Sequence, residues 1–108
     1  RHVGINCADE AEAERTAQMF STVFGWEYKP GNSSVFSGTA VECMKAPYLG
    51  ERGHIAVGTN NVDRAMYHLG LHGITFDEST RKTDAKGKTK AIYLKDSFCG
   101  FAVHLVQK

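Results

Sequence analysis

Two stretches of this chain repeat each other without a gap, and a repeat on this scale constrains the fold more than any other feature. FSGTAVECM, starting at Phe36, aligns with FCGFAVHLV, starting at Phe98. Phe, Gly, Ala and Val recur in place, and Glu42 stands against His104. A second pair, HVGINC from His2 and HIAVGT from His54, shares the histidine and then alternates branched apolar with small residues. The sequence is therefore read as a tandem duplication within one domain, residues 1–108, with a first module at 1–50 and a second at 51–108.

Each module carries the same order of element signals. Residues 2–7 read as a strand and 9–24 as a helix, with Asp9 and Glu12 spaced as a capping box and Gly25 placed for a left-handed cap. Ala13, Ala17, Phe20 and Phe24 recur at helical spacing. Short strands follow near 26–29, 34–37 and 39–45, separated by Pro-Gly-Asn and Ser-Gly turns. In the second module a strand at 54–59 precedes a helix from about 61 to 72, closed by Gly73. Strands near 74–78, 89–95 and 101–107 complete it, with a hairpin turn at 84–88. Both modules read βαβββ, which predicts an α+β fold.

Side chains alternate between the faces of a strand, so parity assigns the sides. Val3 and Ile5 share one face, which leaves His2, Gly4 and Asn6 on the other. By the same count His54, Ala56 and Gly58 oppose Ile55 and Val57, Glu42 opposes Val41 and Cys43, and His104 opposes Val103 and Leu105. The apolar sets are expected to pack against the helices, and His2, Glu42, His54 and His104 then share the helix-free face. Any one of these histidines alone would be read as a hydrogen-bonded groove residue. In phase, the imidazoles and the carboxylate suit zinc, nickel, iron, cobalt or manganese with positions left open for a ligand. The small residues Gly4, Ala56, Gly58 and Ala102 are expected to leave room for that ligand.

Composition removes several other classes. A net charge of +1 gives no reason to expect nucleic acid or an anionic membrane as partner. No apolar run approaches the roughly 18 residues that span a bilayer. Cys7, Cys43 and Cys99 are odd in number and widely spaced, which points to reduced thiols and a cytoplasmic location. Strand-like sequence begins directly after Arg1, as expected of a piece excised from a longer protein.

These residues resemble the vicinal oxygen chelate superfamily, which includes glyoxalase I, epimerases, extradiol dioxygenases and bleomycin-resistance proteins. The likeness rests on the paired βαβββ modules, Phe-x-x-x-Phe-Gly-Trp from Phe20, and Gly-His-Ile-Ala at 53–56. It implies an open curved sheet with a metal in its cleft, held by His2, Glu42, His54 and, where a glutamate is usual, His104. It also implies a lyase, isomerase or epimerase whose substrate chelates the metal through neighbouring oxygens, with Glu42 as ligand or catalytic base. The extra His argues against an extradiol-type oxygenase. The ligand charges favour a small anionic metabolite such as an oxo-acid, hydroxy-acid or sugar acid. Members close the cleft within one chain or across a homodimer, and the sequence leaves both open. GNSSVF, KAPYLGERGHIAVGT, TDAKGKTKAIYLKD and GFAVHLVQK further resemble an accessory domain fused to 2-keto-3-deoxy-6-phosphogluconate aldolase. That likeness also admits a non-catalytic binding or dimerisation module.

Asn6, Ser34 and Tyr93 are candidates to contact substrate, with helix capping the alternative for Asn6. Trp26, Tyr28 and Tyr48 could line the pocket or pack elsewhere. His68 and His72 have the i, i+4 spacing of a metal pair but are read as solvated helix surface; Arg81, Lys82, Lys86, Lys88 and Lys90 form a basic patch that a substrate phosphate or carboxylate could meet, read as a solvated loop. Cys43 and Cys99 lack an activating partner and are read as inert.

Overall fold

A computed structural model describes all residues, 1–108. The strands are β1 (His2–Asn6), β2 (Tyr28–Pro30), β3 (Ser34–Ser37), β4 (Val41–Met44), β5 (Gly53–Thr59), β6 (Phe76–Thr83), β7 (Thr89–Leu94) and β8 (Phe101–Gln107). Helix α1 spans Glu10–Phe24 and α2 spans Val62–Gly70. The strands form one open mixed sheet in the order β2-β3-β4-β1-β5-β8-β7-β6. The first-strand segments of the two modules meet at its centre. β1 and β5 run antiparallel, with His2 opposite Ala56 and Gly4 opposite His54. Each module then adds a parallel neighbour, pairing Gly4 with Glu42 on one side and Ala56 with His104 on the other.

Local chemistry sets the helix ends. Asp9 Oδ1 accepts the Glu12 N–H at 2.8 Å, while Glu12 Oε1 accepts the Ala8 N–H at 2.9 Å, so the return arm lands one residue ahead of the cap. Gly25 ends α1 with φ 71°, a conformation that costs a side-chain-bearing residue but not glycine. Asn61 caps α2 by accepting the Arg64 N–H at 3.0 Å. That helix stops at Gly70, short of the expected His72, and a turn through Gly73 (φ 84°) completes the reversal.

Each helix covers the outer strands of its own module. Ala13 and Ala17 of α1 pack with Val35, Val41, Cys43 and Cys7, and Val62 of α2 packs with Ile92 and Leu105. The expectation that all the apolar strand faces would be covered is corrected at the centre. Val3 on β1 is 40% exposed and Val57 on β5 is 44% exposed, because the helices sit to either side of them.

The second module also departs from the expected strand at 74–78. β6 runs to Thr83, and its pairing with β7 slips between Asp77, opposite Tyr93, and Lys82, opposite Ala91. The extra residues form a bulge that bends the hairpin, as extra residues in a ladder do. No helix is long and apolar enough to cross a membrane.

Candidate metal centre

The register gathers His2, Glu42, His54 and His104 on four adjacent strands within one chain. Gly4, Ala56 and Ala102 alternate with them across β4, β1, β5 and β8, so large side chains never compete for neighbouring positions. Gly4 does more than leave space. A Cβ there would lie 1.9 Å from His54 Cε1, so the imidazole occupies the room that only glycine leaves. The vacancy expected to admit a ligand admits the His54 side chain instead.

His2 Nε2 and His54 Nε2 lie 3.1 Å apart. Glu42 Oε1 lies 3.3 Å from the first and 3.1 Å from the second. Donor atoms bound to one ion at about 2.1 Å are separated by roughly 3 to 3.4 Å, so the triangle has the edges of a coordination sphere. A ring nitrogen of His104 joins the cluster, and the imidazole donor atoms all fall within 4.8 Å of one another. Two buried ring atoms, His54 Nδ1 and His104 Nε2, have no hydrogen-bond partner in the chain. His54 Nδ1 diverges from the Nε2 that joins the triangle, so of the two it is His104 Nε2 that fits an additional group, buried polar atoms being rarely left unpaired.

Electrostatics favour the donor forms. Burial alone would raise the Glu42 pKa, but hydrogen bonds from His2, His54 and Ser34 together hold it well below the usual carboxylate range. Burial, reinforced by His54 and His2, pushes His104 down to about 4, so its imidazole is neutral and free to donate a lone pair near pH 7. Burial also raises Tyr93 to about 12, keeping its hydroxyl protonated.

The cluster forms part of the floor of a cleft of about 620 Å³. Tyr93 stacks on His104 with ring centroids 4.5 Å apart and planes 13° apart, fixing the imidazole's orientation. Tyr48 also lines the cleft, whereas Trp26 stacks against Phe20 and Phe24 elsewhere. Ser34 is buried and donates to Glu42 Oε2 at 2.7 Å, so it orients the carboxylate rather than lining the cleft. Neighbouring Ser33 lines it instead. Asn6 is engaged with the loop after β4: its amide donates to Gly50 O at 2.8 Å and accepts from the Tyr48 N–H at 3.1 Å.

Sequence parity placed His2, Glu42, His54 and His104 on one face, where the structure gathers them, but did not place Met44, Ser33, Arg81 and Lys82 in the cleft lining. The last two were read as solvated loop because β6 loses its apolar alternation where it bulges. His68 and His72 are exposed on and beyond α2, as expected. Burial and neighbouring Cys7 push the Cys43 thiol up to about 12, which suits packing rather than nucleophilic chemistry.

This paired-module open sheet has the glyoxalase-like fold of the solved structures that it resembles. Among solved structures the chain is similar to a methylmalonyl-CoA epimerase in complex with methylmalonyl-CoA and NH4+, with TM-score 0.64 and 18% identity over 99% of this chain and 92% of that one. A Streptomyces coelicolor methylmalonyl-CoA epimerase variant in complex with 2-nitronate-propionyl-CoA gives TM-score 0.64 and 18% identity, over 99% and 94% of the two chains. A hypothetical protein from Bacillus halodurans C-125 gives 0.62 and 14%, over 99% and 91%. At these identities the likeness defines the fold. No protein-family profile and no curated protein matches the chain.

Proposed function

We propose that this domain is a metal-dependent isomerase or epimerase of a small oxo-acid, hydroxy-acid or sugar acid. The observation that carries the reading is the triangle of His2 Nε2, His54 Nε2 and Glu42 Oε1, with edges of 3.1 to 3.3 Å. Two imidazole nitrogens and a carboxylate oxygen at this spacing share hydrogen bonds without an ion, and a cation would take the place of the bridging protons with all three atoms turned to it as donors. His2, Glu42, His54 and His104 would hold it. When bound, a divalent ion supplies Lewis-acid stabilisation of negative charge developing on substrate oxygens.

The chain's own groups divide the remaining work. Ser34 fixes Glu42 Oε2, leaving Oε1 toward the imidazoles. Glu42 is the sole carboxylate lining the cleft, so proton transfer by a carboxylate falls to it. Tyr93 and Tyr48 wall the cleft and reduce water around the reacting carbon. The epimerases of similar fold bind an acyl-CoA, and an acid or ester with neighbouring oxygens belongs to the same broad chemistry.

One observation favours a second reading. His104 stands where the other module places Glu42, so the cleft lacks a second carboxylate, which suits a binding module attached to a larger enzyme such as an aldolase. Elemental analysis of protein purified without chelator tests the metal site. Near-stoichiometric zinc, nickel, iron, cobalt or manganese, lost in His54→Ala, is expected; no uptake from excess metal at neutral pH overturns it. Solvent-deuterium exchange into candidate acids then separates an enzyme from a binder.

A further inference from the structure

We infer that Lys82 is the anion-recognition residue of the cleft, and that the ligand carries a second anionic group, carboxylate or phosphate, besides its chelating oxygens. The inference rests on the metal-centre reading and deepens it by naming what the far end of the ligand must be.

The β6 bulge places Arg81 and Lys82 in the cleft lining. Arg81 is already committed. It donates to Glu78 at 2.9 and 2.8 Å and reaches Asp63 at 3.5 Å, so its charge is matched. Lys82 forms no ion pair with any carboxylate of the chain. The hydroxyls beside it are also spent: Ser79 Oγ donates to Asp77 Oδ1 at 2.6 Å, and Thr80 Oγ1 donates to Asp77 O while accepting the Tyr93 N–H. Besides His2 and Glu42 of the cluster, the first module offers the cleft Ser33, Met44 and Tyr48, none of them a cation. An anion away from the metal therefore has one free cation to meet.

Position makes that cation useful. Lys82 lies opposite Ala91, two residues along β7 from Tyr93, which pairs with His104. The offset is roughly 7 Å along the strand direction, a distance that a few bonds of ligand and a lysine side chain can span. The ligand class is thus a short acid with a chelating oxo-acid or hydroxy-acid head and an anionic tail.

Cobalt-loaded protein, titrated by its visible absorption with glycolate, malate and 3-phosphoglycerate, tests the assignment. Glycolate supplies the head alone; malate adds a carboxylate and 3-phosphoglycerate a phosphate, so their order identifies the preferred tail. In the unmodified protein the favoured tail should improve affinity about tenfold over glycolate, the scale of one charge-assisted contact. Lys82→Met should erase that advantage while leaving cobalt stoichiometry and glycolate affinity unchanged, and Lys82→Arg should keep most of it. An unaltered advantage in Lys82→Met, or an equal loss for glycolate, overturns the proposal. If the unmodified protein takes up no metal, the metal-centre reading falls separately. Inorganic phosphate binding to the metal-free protein, followed by amide shifts near Ala91, then decides for Lys82: loss in Lys82→Met supports it, and no binding sinks it.

Discussion

Gly4 tolerates no side chain beside the candidate centre unless the His54 ring moves. Its missing side chain is the space in which the His54 ring lies, with the imidazole atoms Cε1 and Nδ1 at 1.9 and 2.1 Å from where a Cβ would be. Gly4→Ala must therefore displace the ring while keeping every donor atom in the chain. The expected result is a metal affinity lowered about 100-fold, toward that of His54→Ala, the upper end for losing a group that orients a ligand. Calorimetric titration with zinc measures it, and an unchanged circular dichroism spectrum distinguishes it from unfolding. A variant that binds zinc normally would show that the ring is not held at this spot. His2, Glu42, His54 and His104 were legible from the sequence because strand parity is rigid. The dependence of His54 on Gly4 was not, since it requires knowing that these residues face each other across β1 and β5. Ser34 and Asn6 were legible as polar groups near the cleft, but their partners come from other strands and loops.

Among the elements, α1 depends most clearly on local chemistry. Asp9 supplies the acceptor for the Glu12 N–H, and Glu12 returns to Ala8, so the first turn is tied on both sides. Asp9→Ala should cost about 1 kcal/mol of unfolding free energy, read from the urea midpoint, with metal binding unaltered because α1 contributes no donor. A loss above about 3 kcal/mol would mean that Asp9 does more than cap. Helix ends and most strands were readable because caps, turns and apolar periods are encoded within a few residues. β6 was not. Its outer part, Ser79–Thr83, has no apolar alternation, and its place in the sheet comes from pairing with β7 across the bulge. The cations facing the cleft were misjudged for the same reason: no local signal marks which way a bulge turns its residues.

At the scale of the molecule, the buried ionisable cluster ties stability to pH. His104 titrates near 4 in the fold against 6.5 for an unperturbed imidazole, so between these values the unfolded chain binds the extra proton. For metal-free protein this contribution is fully present above about pH 6.5 and lost as pH falls through 4, a change of about 3 kcal/mol. Glu42, whose folded pKa is depressed, adds a loss of the same sign below the ordinary 4.5. Urea unfolding of chelator-treated protein from pH 7 to 4 should show this decline, and His104→Gln should flatten its upper part. A stability independent of pH over that range would contradict the burial of His104. The approximate twofold arrangement of the sheet was foreshadowed by the repeat, which aligns Glu42 with His104 and His2 with His54. The bare central face around Val3 and Val57 was not, because helix placement over a sheet depends on both modules at once.

That alignment leaves the two corners of the cleft unlike: one bears an anionic carboxylate, the other a neutral imidazole. A planar carbon held between them meets a negative oxygen on one side only. If the domain turns over its ligand through Glu42 alone, protons leave and return on the same side, which suits the isomerase reading and not the epimerase one. Deuterium taken from heavy water would then enter in a single configuration, visible by proton NMR of the recovered acid, and the two mirror-image forms of a substrate would exchange at very different rates. Scrambled configurations would instead mean that His104 carries protons as readily as Glu42.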